Sequence, residues 1–316
     1  MTEPPERTGS PRCGVLGRPR TSFSTRAPCV LAARRPERPG DEYRSARPSW
    51  RCLAAGAVAA LVLGGAASGG PQEKGPIVKA PAAILVDAAT GTVLWSKREH
   101  MRRPIASTTK IMTALVAMER LKPSDVVVVT RKAARVPYGE GLQAGERVPA
   151  WKLYYGLLLA SANDSAVALA EAAGGTRERF LALMNRKARA LGLRHTSYRS
   201  ASGLIDEGNY STVHDLAVLT RYALGVRPFR AIVATKSKRV WWRLPVRAKV
   251  YENHNKLLWR YSGADGVKTG WTRAAGRCLV ASATRHGIQL ITVVLDSPDH
   301  YRDTIHLLNY GFARRG

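Results

Sequence analysis

The stretch RPIASTTKIMTALVAME, residues 103–119, decides how the rest of the chain is read. From Ser107 to Leu121 the apolar residues Ile111, Met112, Leu115, Val116 and Met118 recur at helical spacing. This pattern predicts a helix that Pro123 ends. Pro104 lies just upstream and puts Ser107 in the first turn, where unpaired N–H groups and the positive helix end favour a developing negative charge. Residues three apart share a helix face, so Lys110 reaches the Ser107 hydroxyl. A serine hydroxyl is a poor nucleophile until a neighbouring base takes its proton. Lysine serves as that base only when deprotonated, which needs burial or a nearby cation to lower its pKa. Taken alone, the pair reads more readily as a helix cap and a solvated lysine.

Two other short patterns change that balance. Ser161-Ala162-Asn163 interrupts the mostly helical residues 151–191. Ser and Asn favour capping positions in any helix, but here Ser161 is placed to pass a proton to a leaving amine. Asn163 is placed to hold Lys110 and a substrate amide. Lys268-Thr269-Gly270 follows Ala264-Asp265-Gly266-Val267 on an expected strand. An edge strand pairs with an extended peptide through its main chain. Lys268 and Thr269 would face a substrate carboxylate, Gly270 would keep bulk away, and Lys268 is the candidate cation beside Lys110. Each pattern is weak by itself, but each occurs once and they fall in this order.

Around these motifs the chain reads as one α/β (α+β) domain with a helical half and a sheet half. AAILVDAATGTVLWSKRE predicts a hairpin, with Ala83–Val86 and Thr92–Trp95 flanking the turn Ala89-Thr90-Gly91. Val126–Val129 is a short apolar strand. Thr212-Val213-His214-Asp215 resembles a capping box opening a helix through Leu224. Strands are expected at Val240–Leu244, Lys249–Glu252, Ala264–Thr272, Arg277–Thr284 and Gln289–Leu295, the last two joined by Arg285-His286-Gly287. A helix from His300 to Tyr310 closes the domain. The order is not an alternating βαβ pattern, and no repeats occur.

The N-terminal part differs in composition. Residues 1–50 are rich in Arg, Pro, Ser and Gly without apolar periodicity and read as a disordered basic segment. Arg44, Arg47 and Arg51 precede the apolar run CLAAGAVAALVLGGAA (52–67), and small residues follow it, so 51–70 reads as a signal peptide, or else a single anchor helix. Residues 71–80 read as a linker and 81–316 as the catalytic domain. Cys13, Cys29 and Cys52 fall in the segment expected to be lost, leaving Cys278 and no intramolecular disulfide. No Cys/His spacing suits a metal, and no cofactor is expected. The net charge of +27 and pI near 10.7 suggest an anionic neighbour such as a cell wall or membrane surface. Nucleic-acid-binding signatures are absent, so no nucleic-acid partner is expected. His195, His214, His254, His286, His300 and His306 read as structural or exposed, and most tryptophans as core.

The three motifs, with LVDAATGTVLWSK (85–97), YYGLLLASANDSAVALAE (154–171), STVHDLAVL (211–219), GADGVKTGWT (263–272) and LLNYGF (307–312), closely resemble the serine-type D-alanyl-D-alanine carboxypeptidases. These are low-molecular-mass penicillin-binding proteins of the S11 peptidases, and the resemblance spans roughly residues 80–312. It implies a β-lactamase/transpeptidase-like fold, an antiparallel sheet flanked by helices with a helical subdomain. It also implies an exported enzyme that releases the terminal D-Ala from peptidoglycan stem peptides, with β-lactams as covalent inhibitors. By resemblance, Ser107 is the nucleophile, Lys110 the general base, and Ser161 and Asn163 the second catalytic element. Lys268, Thr269 and Gly270 then form the substrate-binding strand, and the oxyanion hole uses the N–H groups of Ser107 and Trp271.

There are departures from the family pattern. Ala162 stands where glycine is usual, and Ser200-Ala201-Ser202-Gly203-Leu204 where an Asn-Pro-His-Gly-Leu-like segment is common. An arginine frequent near the last helix is replaced by His300 or displaced to Arg302. A class A β-lactamase shares fold and motifs but needs a carboxylate for deacylation, and no E-x-x-L-N segment lies between Ser161 and Lys268. A D,D-endopeptidase has the same site chemistry. A basic, catalytically idle wall-binding protein is the non-enzymatic alternative.

Overall fold

The computed structural model describes residues 75–204, 207–243 and 246–315. The segments read as disordered (1–50) and as signal or anchor (51–70), with most of the linker's first half, lie outside the described residues. The expected hairpin forms from β1 (Ala82–Asp87) and β2 (Val93–Lys97). In its turn Asp87 Oδ1 accepts Thr90 N–H at 2.9 Å, and Gly91 takes φ +79°, a conformation that favours glycine. Every residue of β1 is buried, because both faces of this strand are covered. Ala82, Ile84 and Val86 join one apolar cluster, while Ala83 and Leu85 join the other.

The helical half follows. A two-residue strand β3 (Arg103–Pro104) leads into a 3₁₀ turn (Ala106–Thr109) and then α1 (Lys110–Met118). Ser107 therefore sits in a 3₁₀ turn before the α-helix rather than in its first turn. Next come β4 (Val126–Val128), α2 (Arg131–Ala134), β5 (Arg147–Pro149), α3 (Ala150–Leu158), α4 (Asn163–Gly174) and α5 (Arg177–Ala190). Strand β6 (Tyr210–Ser211) pairs with β3 and brings the chain back beside the 3₁₀ turn. Helix α6 (Val213–Gly225) begins where expected, with Thr212 Oγ1 accepting Asp215 N–H at 3.1 Å. Only half of the capping box operates. The Asp215 carboxylate accepts from His195 N–H at 2.8 Å and Thr196 Oγ1 at 2.7 Å.

After α7 (Arg227–Val233), β7 (Ser237–Arg243) and β8 (Val246–Glu252) form a separate hairpin, followed by α8 (Leu257–Arg260). Strands β9 (Ala264–Thr272), β10 (Gly276–Arg285) and β11 (Ile288–Leu295) then return through the main sheet, and α9 (His300–Ala313) closes the chain. The five-stranded sheet is antiparallel with order β2-β1-β11-β10-β9, so β9 is an edge. The β10–β11 turn uses His286 at φ +47° and Gly287 at φ +78°, a left-handed pair suited to a two-residue hairpin.

The tryptophans depart from the expectation. Trp242 is buried, but Trp241 is 64% and Trp271 69% exposed. Strand alternation turns Trp241 to the outer face of the β7–β8 hairpin while Val240 and Trp242 face in. The Cys278 thiol is buried on β10, where it donates to the Ala275 carbonyl at 3.5 Å. Among the described residues, no helix is long and apolar enough to cross a membrane.

Helix α9 lies close on the sheet because Gly311 has no side chain. A Cβ there would meet Leu290 Cδ1 at 2.7 Å and Leu85 Cδ2 at 2.9 Å. Gly311→Val should therefore lower stability by roughly 1–3 kcal/mol, read from the denaturant midpoint at unchanged m-value.

Candidate active site

Three separate segments converge on the Lys110 amine. Its Nζ donates to Ser107 Oγ at 2.9 Å, Asn163 Oδ1 at 2.8 Å and the Ser202 carbonyl at 2.7 Å. Lys110 is fully buried at the N-terminal end of α1. Burial disfavours its charged form, and the Lys268 ammonium adds repulsion, while Asp164 opposes both. The pKa of Lys110 is thus held well below the ordinary lysine range. Lys268 is also buried, and burial lowers its pKa to about 7. Its Nζ donates to the Thr269 carbonyl at 3.0 Å. The structure therefore brings together Ser107, Lys110 and Asn163 by direct bonds, and sets Lys268 within electrostatic reach.

The 3₁₀ turn carrying Ser107 is held in an uncommon shape. Ala106 has φ +46°, a left-handed conformation costly for a residue with a Cβ. Thr108 N–H and Oγ1 both donate to the Ile105 carbonyl, at 3.1 and 2.7 Å. Gly270 of β9 lies directly against this turn, where an added Cβ would meet Ser107 N at 3.0 Å, the Ile105 carbonyl at 3.1 Å and Ala106 Cβ at 3.2 Å. The glycine thus brings the strand main chain directly against Ser107. Trp271 follows on the same strand with its ring in solvent.

The second motif is anchored from behind. Ser161 is in the left-handed region at φ +60°, whereas Ala162 is at φ −62°, ψ 128°, so alanine fits where glycine is usual. Asn163 Nδ2 donates to the Pro137 carbonyl at 2.8 Å, which fixes its Oδ1 towards Lys110. The next residue, Asp164, was not picked out from sequence. Its buried carboxylate accepts from the N–H groups of Glu140 at 2.8 Å, Gly141 at 2.9 Å, Leu142 at 3.1 Å and Ser165 at 2.8 Å. This folds residues 137–142 against the site. Glu140 is bound in turn by Lys249 at 2.8 Å and by the hydroxyls of Tyr251 and Ser165.

Ser202 is the other residue that sequence reasoning missed as a site group. It contributes a carbonyl, which no side-chain pattern announces. Thr113 Oγ1 donates to the adjacent Ala201 carbonyl at 2.6 Å, and Ser200 Oγ accepts from Gly203 N–H at 3.0 Å. The unusual 200–204 segment thus performs its role through the backbone, and its different side chains leave that role intact. His300 has a buried Nδ1 without a hydrogen-bond partner and stacks on Tyr301 with ring centroids 4.1 Å apart. The Arg302 main chain caps α9 through Asp299 Oδ1 at 3.1 Å. Among the described residues, no group of three His, Cys, Asp or Glu side chains is arranged to hold a metal.

Comparison with known proteins agrees with this geometry. The D-alanyl-D-alanine carboxypeptidase family of S11 peptidases matches residues 70–299. The chain is 35% identical over 252 residues to the D-alanyl-D-alanine carboxypeptidase DacF of Bacillus subtilis, covering 75% of this chain and 63% of that protein. It is 37% identical over 258 residues to a D-alanyl-D-alanine carboxypeptidase of a Streptomyces species, covering 75% of this chain and 89% of the relative. The solved Streptomyces K15 DD-transpeptidase superposes with a TM-score of 0.72 at 35% identity, covering 76% of this chain and 99% of its own. The fold expected from the motifs is the fold observed. The chain spans less than two thirds of the length of DacF.

Two buried lysines facing each other predict a trade of stability for reactivity. Both hold fewer protons folded than unfolded near neutral pH, so stability rises with pH from the folded pKa of Lys268, about 7, towards the ordinary lysine value. Lys268→Met should raise stability at pH 7 and below, by roughly 2 kcal/mol in denaturant titration. The same variant should move the rising limb of the acylation pH profile to higher pH, because Lys110 loses its repelling neighbour.

Proposed function

The chain belongs to the S11 family of D-alanyl-D-alanine carboxypeptidases, and from that membership we propose that it removes the terminal D-Ala of peptidoglycan stem peptides through an acyl-enzyme on Ser107. The observation that carries this reading is the buried Lys110 amine at 2.9 Å from the Ser107 hydroxyl, its pKa lowered by burial and by Lys268.

The neutral Lys110 amine takes the Ser107 proton as Oγ attacks the carbonyl carbon of the penultimate D-Ala. The resulting oxyanion is received by the N–H groups of Ser107 and Trp271, a type of contact worth about 3 kcal/mol per donor. Collapse breaks the peptide bond, and the leaving amine receives the proton from Lys110 by way of Ser161. Water then attacks the ester with Lys110 again taking a proton, and Ser107 is released. The substrate backbone pairs along the open side of β9, with its terminal carboxylate at Lys268 and Thr269. A β-lactam would acylate Ser107 in the same first step.

The alternatives divide on observations. A β-lactamase needs a carboxylate free to activate water. The two buried carboxylates flanking the second motif, Glu140 and Asp164, are both fully engaged. This favours a long-lived penicilloyl enzyme. The structural relative from Streptomyces K15 is a DD-transpeptidase, and a D,D-endopeptidase would use the same residues. Which acceptor or donor strand is used is decided by product analysis on linear and cross-linked muropeptides. The enzyme would act outside the cytoplasm, exported by residues 51–70, with its net charge of +27 drawing it to the anionic wall or membrane surface.

Fluorescent penicillin should label the protein at Ser107, and Ser107→Ala should abolish labelling and lower D-Ala release by about 10⁶-fold. Persistent labelling of that variant would sink the assignment. Mass spectrometry of the penicillin-treated exported protein should also show a mature N-terminus near residue 70.

A further inference from the structure

The segment Glu252–Lys256, which no catalytic motif includes, joins the two sides of the site. His254 N–H donates to the Leu159 carbonyl at 3.0 Å, two residues before Ser161. Asn255 Nδ2 donates to the Gly266 carbonyl at 2.8 Å, two residues before Lys268. The turn between these anchors is built from two buried asparagines, each 1% exposed. Asn253 Nδ2 donates to the Val233 carbonyl at 3.2 Å and the Thr235 carbonyl at 3.0 Å, and its Oδ1 accepts from Asn255 N–H at 2.9 Å. Tyr301 of α9 closes the back, donating to the His254 carbonyl at 3.1 Å and accepting from Lys256 N–H at 3.0 Å. His254 alone of the three central residues reaches solvent, with its imidazole still partly desolvated. A rigid turn therefore presents one imidazole between the Ser161 loop and the Lys268 strand.

We propose that His254 is a specificity-determining residue that contacts the C-terminal carboxylate of the substrate together with Lys268. The inference rests on the D,D-peptidase reading above. The groups around the imidazole are Lys268 on β9, Lys110 at the start of α1, and Lys256 and Glu252 on its own segment. In the free protein burial is the largest influence, followed by repulsion from Lys268 and Lys256, with Glu252 opposing and Lys110 adding to it. The imidazole is therefore held below the ordinary histidine range and is neutral at pH 7. A carboxylate entering among these cations reverses the local balance and favours the imidazolium. Substrate should then bind best at low pH and weaken as pH rises from the free towards the bound titration of His254. The Lys268 titration, at about 7, lies above the lower part of this window.

The test is steady-state hydrolysis of a diacetylated L-Lys-D-Ala-D-Ala tripeptide between about pH 5 and 6.5, with wild type, His254→Gln and His254→Lys. Wild-type KM should rise with pH. His254→Gln should raise KM about tenfold at the acid end, flatten its pH dependence and leave kcat within about twofold. His254→Lys, a fixed cation, should restore a low KM without the slope. A wild-type KM and slope in His254→Gln would overturn the proposal, as would failure of lysine to restore affinity. If the peptide is not hydrolysed and fluorescent penicillin does not label wild-type protein, the peptidase reading falls. If labelling and hydrolysis persist unaltered in His254→Gln, only the role of His254 falls.

Discussion

An amine buried without a counter-ion is costly, and the arrangement around Lys110 follows from making that amine tolerable. Three acceptors satisfy it, one each from the 3₁₀ turn, the start of α4 and the 200–204 segment. No carboxylate bonds to it, which would have fixed the charge. The opposing acid, Asp164, gives its oxygens to four main-chain N–H groups instead. Burial and the second lysine lower the pKa of this amine and so favour its basic, deprotonated form.

That constraint reaches into the architecture. The helical half supplies Ser107, Lys110 and Asn163, and the sheet half supplies Lys268 and the glycine that lets the strand touch the nucleophile. Neither half contains a complete site. The Asn253–Asn255 turn holds the halves in register through Leu159 and Gly266. Within the helical half, the β3–β6 pair and Asn209, which donates to Thr109 Oγ1 at 2.9 Å, brace the turn that carries Ser107.

Much of this was legible because side-chain periodicity reports burial. The hairpin, α6, and strands β9 to β11 emerged within a residue or two of their observed bounds and α1 within three at each end, since each has one or two buried faces. Segments that form through main-chain pairing alone, such as β3, β5 and β6, carry no such pattern and were not read. The same division holds for the site. Motif side chains were identified, but the Ser202 carbonyl and the Asp164 anchor act on or through backbone groups. His254 was read only as structural or exposed, because its placement depends on hydrogen bonds to Leu159 and, through Asn255, to Gly266, more than ninety residues and about ten residues away in sequence. The tryptophans show the opposite error, since an aromatic residue is judged core by type while strand alternation decides its face.

Strand β9 ends the sheet with one side unpaired by any other strand. In most proteins such a rim is shortened, charged or covered, because any extended chain can add to it and propagate aggregates. Here it must stay accessible, and the docked 3₁₀ turn beside Gly270 occupies only part of it. On the proposed reading this rim stays open for a substrate peptide, and a susceptibility to strand-on-strand self-association comes with it.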